Sequence, residues 1–289
     1  MLRTRIETAH DHQPFLPLHR PGGTIAFDDT GAGPLVVMLP GLGDLRRQYR
    51  LLVPAIAAAG MRAVSVDLRG HGDSSVGWDR YDAEASGGDL VALLEALDAG
   101  PAAVVGNSFG AAIAVHAAAE RPDLVAGLVL IGPFVRHHDR SWPLRLAIHA
   151  MTTGPWRVAA WGRFYDSLYT RAKPSDHAQH RSALLANLRE PGRFDAVRGM
   201  LARDDRAIEA RLPIVRAASL VVMGSADPDF PDPRAEAALV AEALRGDVHM
   251  VAGAGHYPHV EAPDATNPAI VSFAQRVLAP RTQPSDATR

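Results

Sequence analysis

The stretch Val104–Gly110, which reads Val-Val-Gly-Asn-Ser-Phe-Gly, constrains the fold more than any other part of the sequence. A run of small and β-branched residues ends at Gly106, and a long alanine-rich segment begins directly after Ser108. This pattern predicts a buried strand, a sharp turn and a helix. Glycine at positions 106 and 110 fits such a turn, because residues beside a strained corner must be nearly free of side chain. Ser108 is therefore a candidate nucleophile, although a serine here can also act only as the N-cap of the helix.

Strand and helix patterns alternate on both sides of this turn. Continuous apolar runs such as 35–39, 102–106 and 125–131 are typical of strands buried on both faces, and helical patterns lie between them. The alternation predicts an α/β fold with a mainly parallel central sheet of about eight strands and helices on both faces. We expect one helix over 45–59 and a last helix that begins near Pro268.

The alternation stops between Pro133 and about Pro213. Helical patterns with aromatic and aliphatic faces replace it, separated by Gly-Pro, Lys-Pro and Pro-Gly pairs. The sequence therefore predicts a helical segment that is inserted into one core. The expected divisions are a loosely ordered N-terminal arm at 1–21, a core formed by 22–134 and 213–280, a cap or lid at 135–212, and a C-terminal tail at 281–289.

Composition narrows the class of partner. The formal net charge is only −2 and no long run carries one sign of charge, which favours a small-molecule substrate over nucleic acid or a membrane surface. The absence of cysteine removes disulfides, thiolate catalysis and cysteine-ligated metals. No segment has the pattern of a signal peptide or a spanning helix. We expect a cytoplasmic monomer or homodimer that uses neither a metal nor another cofactor.

Two further loops carry an acid and a base. Asp227 follows the apolar run 218–223, and His256 follows the run 248–251. In a parallel sheet these loops open at the same edge as Ser108. A serine hydroxyl needs a base within hydrogen-bond reach and a third group that orients the base, so the three residues can form a nucleophilic site. Because only neutral imidazole acts as a base, we expect activity to rise through the ordinary histidine pKa of about 6.5.

Four separated motifs strengthen this interpretation. They are Asp-Leu-Arg-Gly-His-Gly-Asp-Ser at 67–74, Gly-Asn-Ser-Phe-Gly at 106–110, Gly-x-x-Asp-x-x-x-Pro at 224–231, and Gly-Ala-Gly-His at 253–256 with Glu261 and Pro263 downstream. In these motifs, and over roughly residues 22–280, the chain resembles the α/β-hydrolase superfamily, within its group of small single-chain serine esterase-like enzymes that have a helical cap. The resemblance implies the α/β-hydrolase fold and a triad of Ser108, Asp227 and His256.

Two other acidic residues compete with Asp227 for the role of the acid. Asp229 and Asp232 lie on the same loop. The spacing from Gly224, together with the pattern of the superfamily, favours Asp227.

The same resemblance implies an oxyanion hole of two backbone amides. One is the N–H of Phe109, at the start of the helix, and the other is the N–H of Leu42, in the loop that reads Pro40-Gly41-Leu42-Gly43. The superfamily usually has histidine where this chain has Pro40, a difference that removes no donor. Further candidates for substrate contact are Gly41, Asn107, Trp142, Trp161 and Tyr257.

The leading function is hydrolysis of an ester-like acyl bond in a small, rather apolar substrate, through an acyl-enzyme on Ser108. A carbon–carbon bond hydrolase ranks second among enzymes, because the elbow is similar but the Ser-Gly-Pro-Gly-like oxyanion segment of those enzymes is absent at 40–44. An acyltransferase or cofactor-free peroxidase could use the same triad. A ligand receptor or signalling protein with a slow triad is the alternative from another class.

Overall fold

Eight strands form the centre of the computed structural model, which describes residues 15–139, 141–202 and 204–279. The strands are β1 (Leu16–Arg20), β2 (Gly23–Thr30), β3 (Leu35–Leu39), β4 (Arg62–Val66), β5 (Ala102–Asn107), β6 (Val125–Ile131), β7 (Ala218–Gly224) and β8 (Asp247–Val251). Their order in the sheet is β1-β2-β4-β3-β5-β6-β7-β8, with antiparallel pairing only of β1 with β2 and of β2 with β4. The predicted mainly parallel sheet is confirmed.

Eleven α-helices are described. They are α1 (Val53–Ala58), α2 (Ala83–Leu97), α3 (Phe109–Glu120), α4 (Trp142–Thr152), α5 (Arg157–Ser167), α6 (His177–Arg189), α7 (Arg193–Leu201), α8 (Arg206–Glu209), α9 (Pro233–Leu244), α10 (Pro258–Glu261) and α11 (Pro263–Leu278). None of these helices combines the length and the apolar character that a bilayer-spanning helix needs.

Helices pack on both faces of the sheet. On one face α2, α3 and α9 cover apolar side chains that include Val37, Val104 and Leu128. On the other face α1 and α11 cover Met38 and Val105. Successive residues of a strand point to opposite faces, so a strand covered on both sides must be apolar throughout. This requirement explains the continuous apolar runs of the sequence.

Three expected elements differ from the structure. The N-terminal arm was predicted to be loosely ordered, but Leu16–Arg20 forms the edge strand β1, which pairs with β2 across a turn where Gly22 has a φ of 94°. Residues 1–14 of the arm and the tail at 281–289 lie outside the described residues. The helix expected over 45–59 is a 3-10 turn (Arg46–Tyr49) followed by the short α1, because Pro54 cannot continue a helix from the turn before it. The last helix begins at Pro263 and includes Pro268.

The parallel strands bring the functional loops to one edge of the sheet. The segments after β3, β5, β6, β7 and β8 all open at the carboxyl edge. Helices α4 to α8 lie between β6 and β7 in the chain, within the range 135–212 that we call the helical insertion. Trp161 and Leu184 of the insertion share an apolar cluster with Tyr257 and Val260, which follow β8. The insertion therefore packs beside the loops at this edge.

Buried polar contacts fasten the insertion to the sheet loops. His180 of α6 lies 2.8 Å from Asp44, and both side chains are almost completely buried. The carboxylate of Glu261 accepts hydrogen bonds from the amides of Thr170 and Arg171, at 3.0 and 2.9 Å. Each contact joins the insertion to a loop that borders the candidate site.

Candidate active site

Ser108 occupies a strained turn between β5 and α3. Its φ of 54° and ψ of −116° lie outside the regions that most residues adopt. A Cβ on Gly106 would overlap with the carbonyl of Gly110, and a Cβ on Gly110 would overlap with the carbonyl of Leu39. Both positions therefore require glycine. The side chain of Ser108 makes no N-cap hydrogen bond, which argues against the simple capping role.

His256 and Asp227 form a buried pair near this serine. The Nδ1 atom of His256 lies 2.7 Å from Oδ2 of Asp227, and we assign the proton to Nδ1 because a carboxylate accepts it. The other carboxylate oxygen accepts a hydrogen bond from the backbone N–H of Asp229, at 3.0 Å. Burial alone would lower the pKa of His256, but the negative charge of Asp227, its hydrogen bond and the charge of Asp229 together raise this pKa to about 9.

Gly132, at the end of β6, leaves room for this pair. Its φ is 50°, and an added Cβ would lie 3.0 Å from Nδ1 of His256 and 3.1 Å from Oδ2 of Asp227. This role of Gly132 could not be predicted from the sequence, because a glycine after a strand is also what an ordinary turn requires.

In the loop after β3, two backbone amides donate to side chains and the amide between them does not. The N–H of Gly41 donates to Oε1 of Gln48 at 3.2 Å, and the N–H of Gly43 donates to Nε2 of His71 at 3.0 Å. The carbonyl of Gly41 accepts from the N–H of Asp44 at 3.2 Å, and the next N–H in the chain, that of Leu42, points the opposite way in a trans peptide. Within the described part of the chain, the Leu42 N–H donates no hydrogen bond.

A buried network behind the serine connects three loops. Nε2 of Gln48 lies 2.7 Å from Oδ1 of Asn107 and 3.2 Å from Nε2 of His259. The Asn107 amide in turn donates to the carbonyls of Ile131 and His256, at 3.0 and 3.2 Å. Burial, with the nearby positive charges of Arg50 and His256, lowers the pKa of His259 to about 3. His259 is therefore neutral, and its Nε2 accepts from Gln48.

The sequence offered little indication of this network. Gln48 and His259 are separated by 211 positions, and neither belongs to a motif that predicts their contact. His259 follows His256 by three positions, which fits a neighbour of the site or a surface residue equally well, and its side chain is fully buried. Both residues support the loops of the site from behind.

A cavity of about 380 Å³ opens onto Ser108 and His256. Its walls are mainly apolar and aromatic and come from the sheet loops, from α4, α5 and α7, and from the loop before α10. The lining residues are Gly41, Leu42, Ser108, Phe134, Leu144, Ile148, Met151, Trp161, Phe164, Tyr165, Leu168, Leu201, Pro228, Asp229, His256 and Tyr257.

Three of the five candidate substrate contacts line the cavity, and two do not. Gly41, Trp161 and Tyr257 line the cavity. Trp142 does not line it, and its side chain is 76% exposed at the start of α4, so the expected substrate contact was wrong. Asn107 is fully buried below the cavity, because its amide is held by the network around Gln48, and its expected contact with substrate was also wrong.

Of the two acidic residues near Asp227, Asp232 caps a helix and Asp229 lines the cavity. Asp232 is the N-cap of α9, where its carboxylate accepts from the N–H of Ala235 at 2.9 Å. Asp229 lines the cavity, with Oδ2 3.8 Å from Nε2 of His256. Ligand atoms of Asp227, Asp229 and His256 lie within 4.8 Å of one another, which is close enough to hold a cation. Both carboxylate oxygens of Asp227 already have hydrogen-bond partners, namely Nδ1 of His256 and the N–H of Asp229.

Comparisons with known proteins identify the family to which the chain belongs. The sequence matches the model of the alpha/beta hydrolase family over residues 36–269. Over 264 residues it is 31% identical to a Mycobacterium tuberculosis protein whose name describes a non-heme bromoperoxidase, and the match covers 88% of this chain and 99% of that protein.

Two solved structures are similar in fold. A bromoperoxidase from Bacillus anthracis superposes with a TM-score of 0.79 at 20% identity, covering 90% of this chain and 99% of the other. An esterase from Exiguobacterium antarcticum superposes with a TM-score of 0.76 at 20% identity, covering 88% and 97%. At these identities the similarity shows a common fold and nothing more.

Proposed function

Since the chain belongs to the α/β-hydrolase family, we propose that it is a serine hydrolase that cleaves an ester-like acyl bond through an acyl-enzyme on Ser108. The observation that carries the proposal is the 2.7 Å contact between His256 and Asp227 in a buried pair that opens onto the same cavity as a strained serine. This combination supplies a base, a group that orients the base, and an accessible hydroxyl.

In the proposed reaction, Nε2 of His256 takes the proton from Ser108 as the serine oxygen attacks the acyl carbon. The bond to the leaving alcohol breaks, and the imidazolium donates its proton to that alcohol. Water then attacks the acyl carbon while His256 takes a proton from it, the bond to the Ser108 oxygen breaks, and the imidazolium returns the proton to Ser108. The amides of Leu42 and Phe109 stabilise the negative oxygen in both steps, and Asp227 stabilises the imidazolium.

The cavity favours a small, rather apolar acyl group. Its volume of about 380 Å³ lies near the lower end of the range for small-molecule sites, and most of its walls are apolar. We propose a small-molecule ester as the substrate, with no cofactor and no metal in the chemical step.

A peroxide-dependent reaction is the second candidate. The support for it is the 31% identity to a protein with a non-heme bromoperoxidase name, over nearly the whole length of that protein. In this version, hydrogen peroxide replaces water as the nucleophile that releases the acyl group, and a peracid is the product. Product analysis with and without peroxide separates the two candidates.

Covalent labelling tests the proposal. A serine-directed fluorophosphonate is expected to label the wild-type protein and the control Ser272→Ala, whose serine is exposed on α11, but not Ser108→Ala. His256→Ala is expected to label at least about a hundredfold more slowly, because the base is lost. Labelling that persists in Ser108→Ala would refute the role of Ser108 as the nucleophile.

Turnover of an ester tests the alternative from another class. A single slow turnover with retained ligand would support the receptor alternative.

A further inference from the structure

A second cleft lies beside the catalytic cavity, and two apolar side chains separate the two spaces. The cleft has a volume of about 610 Å³ and is formed by the segment after β6, by α4, and by the segment from the end of α7 to the start of α8. Ile148 of α4 and Leu201 of α7 line both this cleft and the cavity that contains Ser108. We call the second space the outer cleft, and Ile148 and Leu201 the shared wall.

The two spaces differ in polarity. Three arginines, three histidines and three aspartates are among the described residues that line the outer cleft. The described residues that line the catalytic cavity include no lysine or arginine, and most of them are apolar or aromatic. An apolar group is therefore favoured on one side of the shared wall, and a charged group on the other.

The aspartates of the outer cleft already have partners. Oδ1 of Asp139 lies 3.0 Å from Nε2 of His137, and Oδ2 of Asp204 accepts from Arg206 at 3.2 Å. The third aspartate, Asp205, is buried and also has an interaction partner. The negative charges of the outer cleft are thus engaged at the end where the segment after β6 meets the start of α8.

Two arginines lie one helical turn from the shared wall. Arg145 precedes Ile148 by three positions on α4, and Arg198 precedes Leu201 by three positions on α7. Side chains at this spacing are neighbours on the surface of a helix. Arg145 makes no ion pair with any residue that the structure describes. Arg198 is half-exposed and has a single loose contact, at 3.9 Å, with the exposed carboxylate of Asp195.

This pair of arginines suits an anion better than a neutral group. A guanidinium has five N–H donors in a planar fork that matches the two oxygens of a carboxylate. An anion between α4 and α7 would give Arg145 the charged partner that it lacks among the described residues. A ligand that crosses the shared wall would therefore have an apolar part beside Ser108 and an anionic end beside Arg145.

We propose that the outer cleft binds the anionic end of the substrate, and that the substrate is an ester whose acyl chain ends in a carboxylate. The inference rests on the proposed serine hydrolase, and it specifies the substrate of that same site. The acyl chain is the part of the ester that the apolar walls of the cavity bind, and Ile148 and Leu201 belong to these walls. The chain would pass between these two side chains, and its carboxylate would pair with Arg145.

A pair of esters with the same shape tests the proposal. The p-nitrophenyl hemiester of octanedioic acid ends in a carboxylate, and p-nitrophenyl 8-methylnonanoate ends in two methyl groups instead. The measured quantity is the ratio of kcat/KM for the hemiester to kcat/KM for the neutral ester. Comparing this ratio between proteins cancels the different intrinsic reactivity of the two esters. Arg145→Gln is expected to lower the ratio about fivefold, and Arg145→Gln combined with Arg198→Gln about tenfold.

Arg163→Gln is the matched control. Arg163 is an exposed arginine of α5 in the same helical insertion, and it lines neither space. Its ratio is expected to equal that of the wild type. Because both single variants lose one positive charge, a difference between them reports the position of Arg145 and not the net charge of the protein.

The outcomes are distinguishable. Equal ratios in the wild type and the double variant, with Ser108 still labelled by the fluorophosphonate, would overturn the inference and leave the proposed function in place. A labelled wild type that does not hydrolyse the hemiester would also overturn it. So would dependence on Arg145 only for 7-carboxyheptyl hexanoate, whose carboxylate lies on the alcohol. Loss of labelling in the wild type would refute both proposals. A melting temperature for each variant checks that it is folded.

Discussion

The amides around Ser108 are held by side chains that lie outside the cavity. Gln48 accepts from the N–H of Gly41, and His71 accepts from the N–H of Gly43. Burial is the main reason that the pKa of His71 falls to about 4, so His71 remains a neutral acceptor at physiological pH. The Leu42 N–H between these two fixed glycines is therefore oriented before a substrate binds, and this preorganisation is what an oxyanion donor needs.

Replacing Gln48 tests the value of that orientation. In Gln48→Leu, the N–H of Gly41 and the amide oxygen of Asn107 lose their buried partner. We expect kcat to fall by about ten- to a hundredfold with a smaller change in KM, because the loss affects the transition state more than the bound ester. Steady-state kinetics measures the two constants separately.

The control for Gln48 is Gln275→Leu, at an exposed position on α11. It is expected to leave both constants unchanged. An increase in KM alone for Gln48→Leu would contradict the role assigned to the network.

The charges around His256 predict an unusual pH profile. His256 is a base only when neutral, so kcat/KM rises as pH increases through its pKa. Since Asp227 and Asp229 hold this pKa at about 9, we expect the midpoint of the rise well above the value of about 6.5 expected from the sequence alone. Asp229→Asn is expected to move the midpoint to lower pH. Rates measured between pH 5 and 10 provide the check, and a midpoint at or below 6.5 in the wild type would be inconsistent with it.

The positions of residues in local motifs could be predicted from the sequence. Contacts between residues that are far apart in the chain could not. Ser108, Asp227 and His256 each follow a strand in a recognisable motif, and the structure brings them to one edge. Gln48 and Gly132 are important only because of groups far away in the chain. Nothing in the sequence next to them reports those contacts.

Among the helices, α4 has two sides with different environments. Leu144, Ile148 and Met151 recur at helical spacing and line the cavity. Trp142 and Leu146 are exposed, at 76% and 58%. The aromatic and aliphatic content of 135–212 predicted helices correctly, but it could not assign sides, because α4 has apolar residues on both.

Of two substitutions on opposite sides of α4, only the one that faces the cavity should change the chain-length preference. Met151→Phe adds a bulky ring to the cavity wall, and we expect kcat/KM to fall about tenfold for octanoate esters relative to acetate esters. Trp142→Ala changes only an exposed ring and is expected to leave the preference as in the wild type. A panel of p-nitrophenyl esters measures it. A shift in Trp142→Ala as large as that in Met151→Phe would contradict this assignment of sides.

Elements were easiest to predict where burial alone determines the pattern. The strands β3 and β6 match the predicted ranges, since both faces of each are covered. The edge strand β1 has mostly exposed side chains and is held through its backbone pairing with β2, so its sequence carries no apolar signal. Helix α10, only four residues long, was not predicted either.

For the molecule as a whole, the insertion and the sheet loops depend on each other for stability. The pair of Asp44 and His180 is buried on both sides, and Arg50 makes two hydrogen bonds to Asp176 of the insertion, at 2.6 and 2.7 Å. Asp44 and Arg50 both lie in the segment that follows β3, close to the proposed oxyanion donor. A shift of the insertion would therefore be transmitted directly to that segment.

Breaking the buried pair should cost substantial stability. His180→Leu removes a hydrogen-bond partner from the buried Asp44 carboxylate, and we expect the free energy of unfolding to fall by about 2–3 kcal/mol. Urea denaturation measures the change. As a comparison, Arg80→Ala breaks an exposed ion pair with Asp82 and is expected to leave the free energy of unfolding almost unchanged, because water screens the pair. Equal losses in the two variants would contradict the structural importance of the buried pair.

The contact of Glu261 with Thr170 and Arg171 limits how such proteins can be recombined. The same carboxylate also accepts from the N–H of Gly255, beside His256, so one side chain ties the insertion to the histidine loop. A chimera that receives the insertion of a relative would need backbone amides at the positions that Glu261 reaches. Exchange of substrate specificity by grafting is thus coupled to the alignment of the histidine, and the two must be designed together.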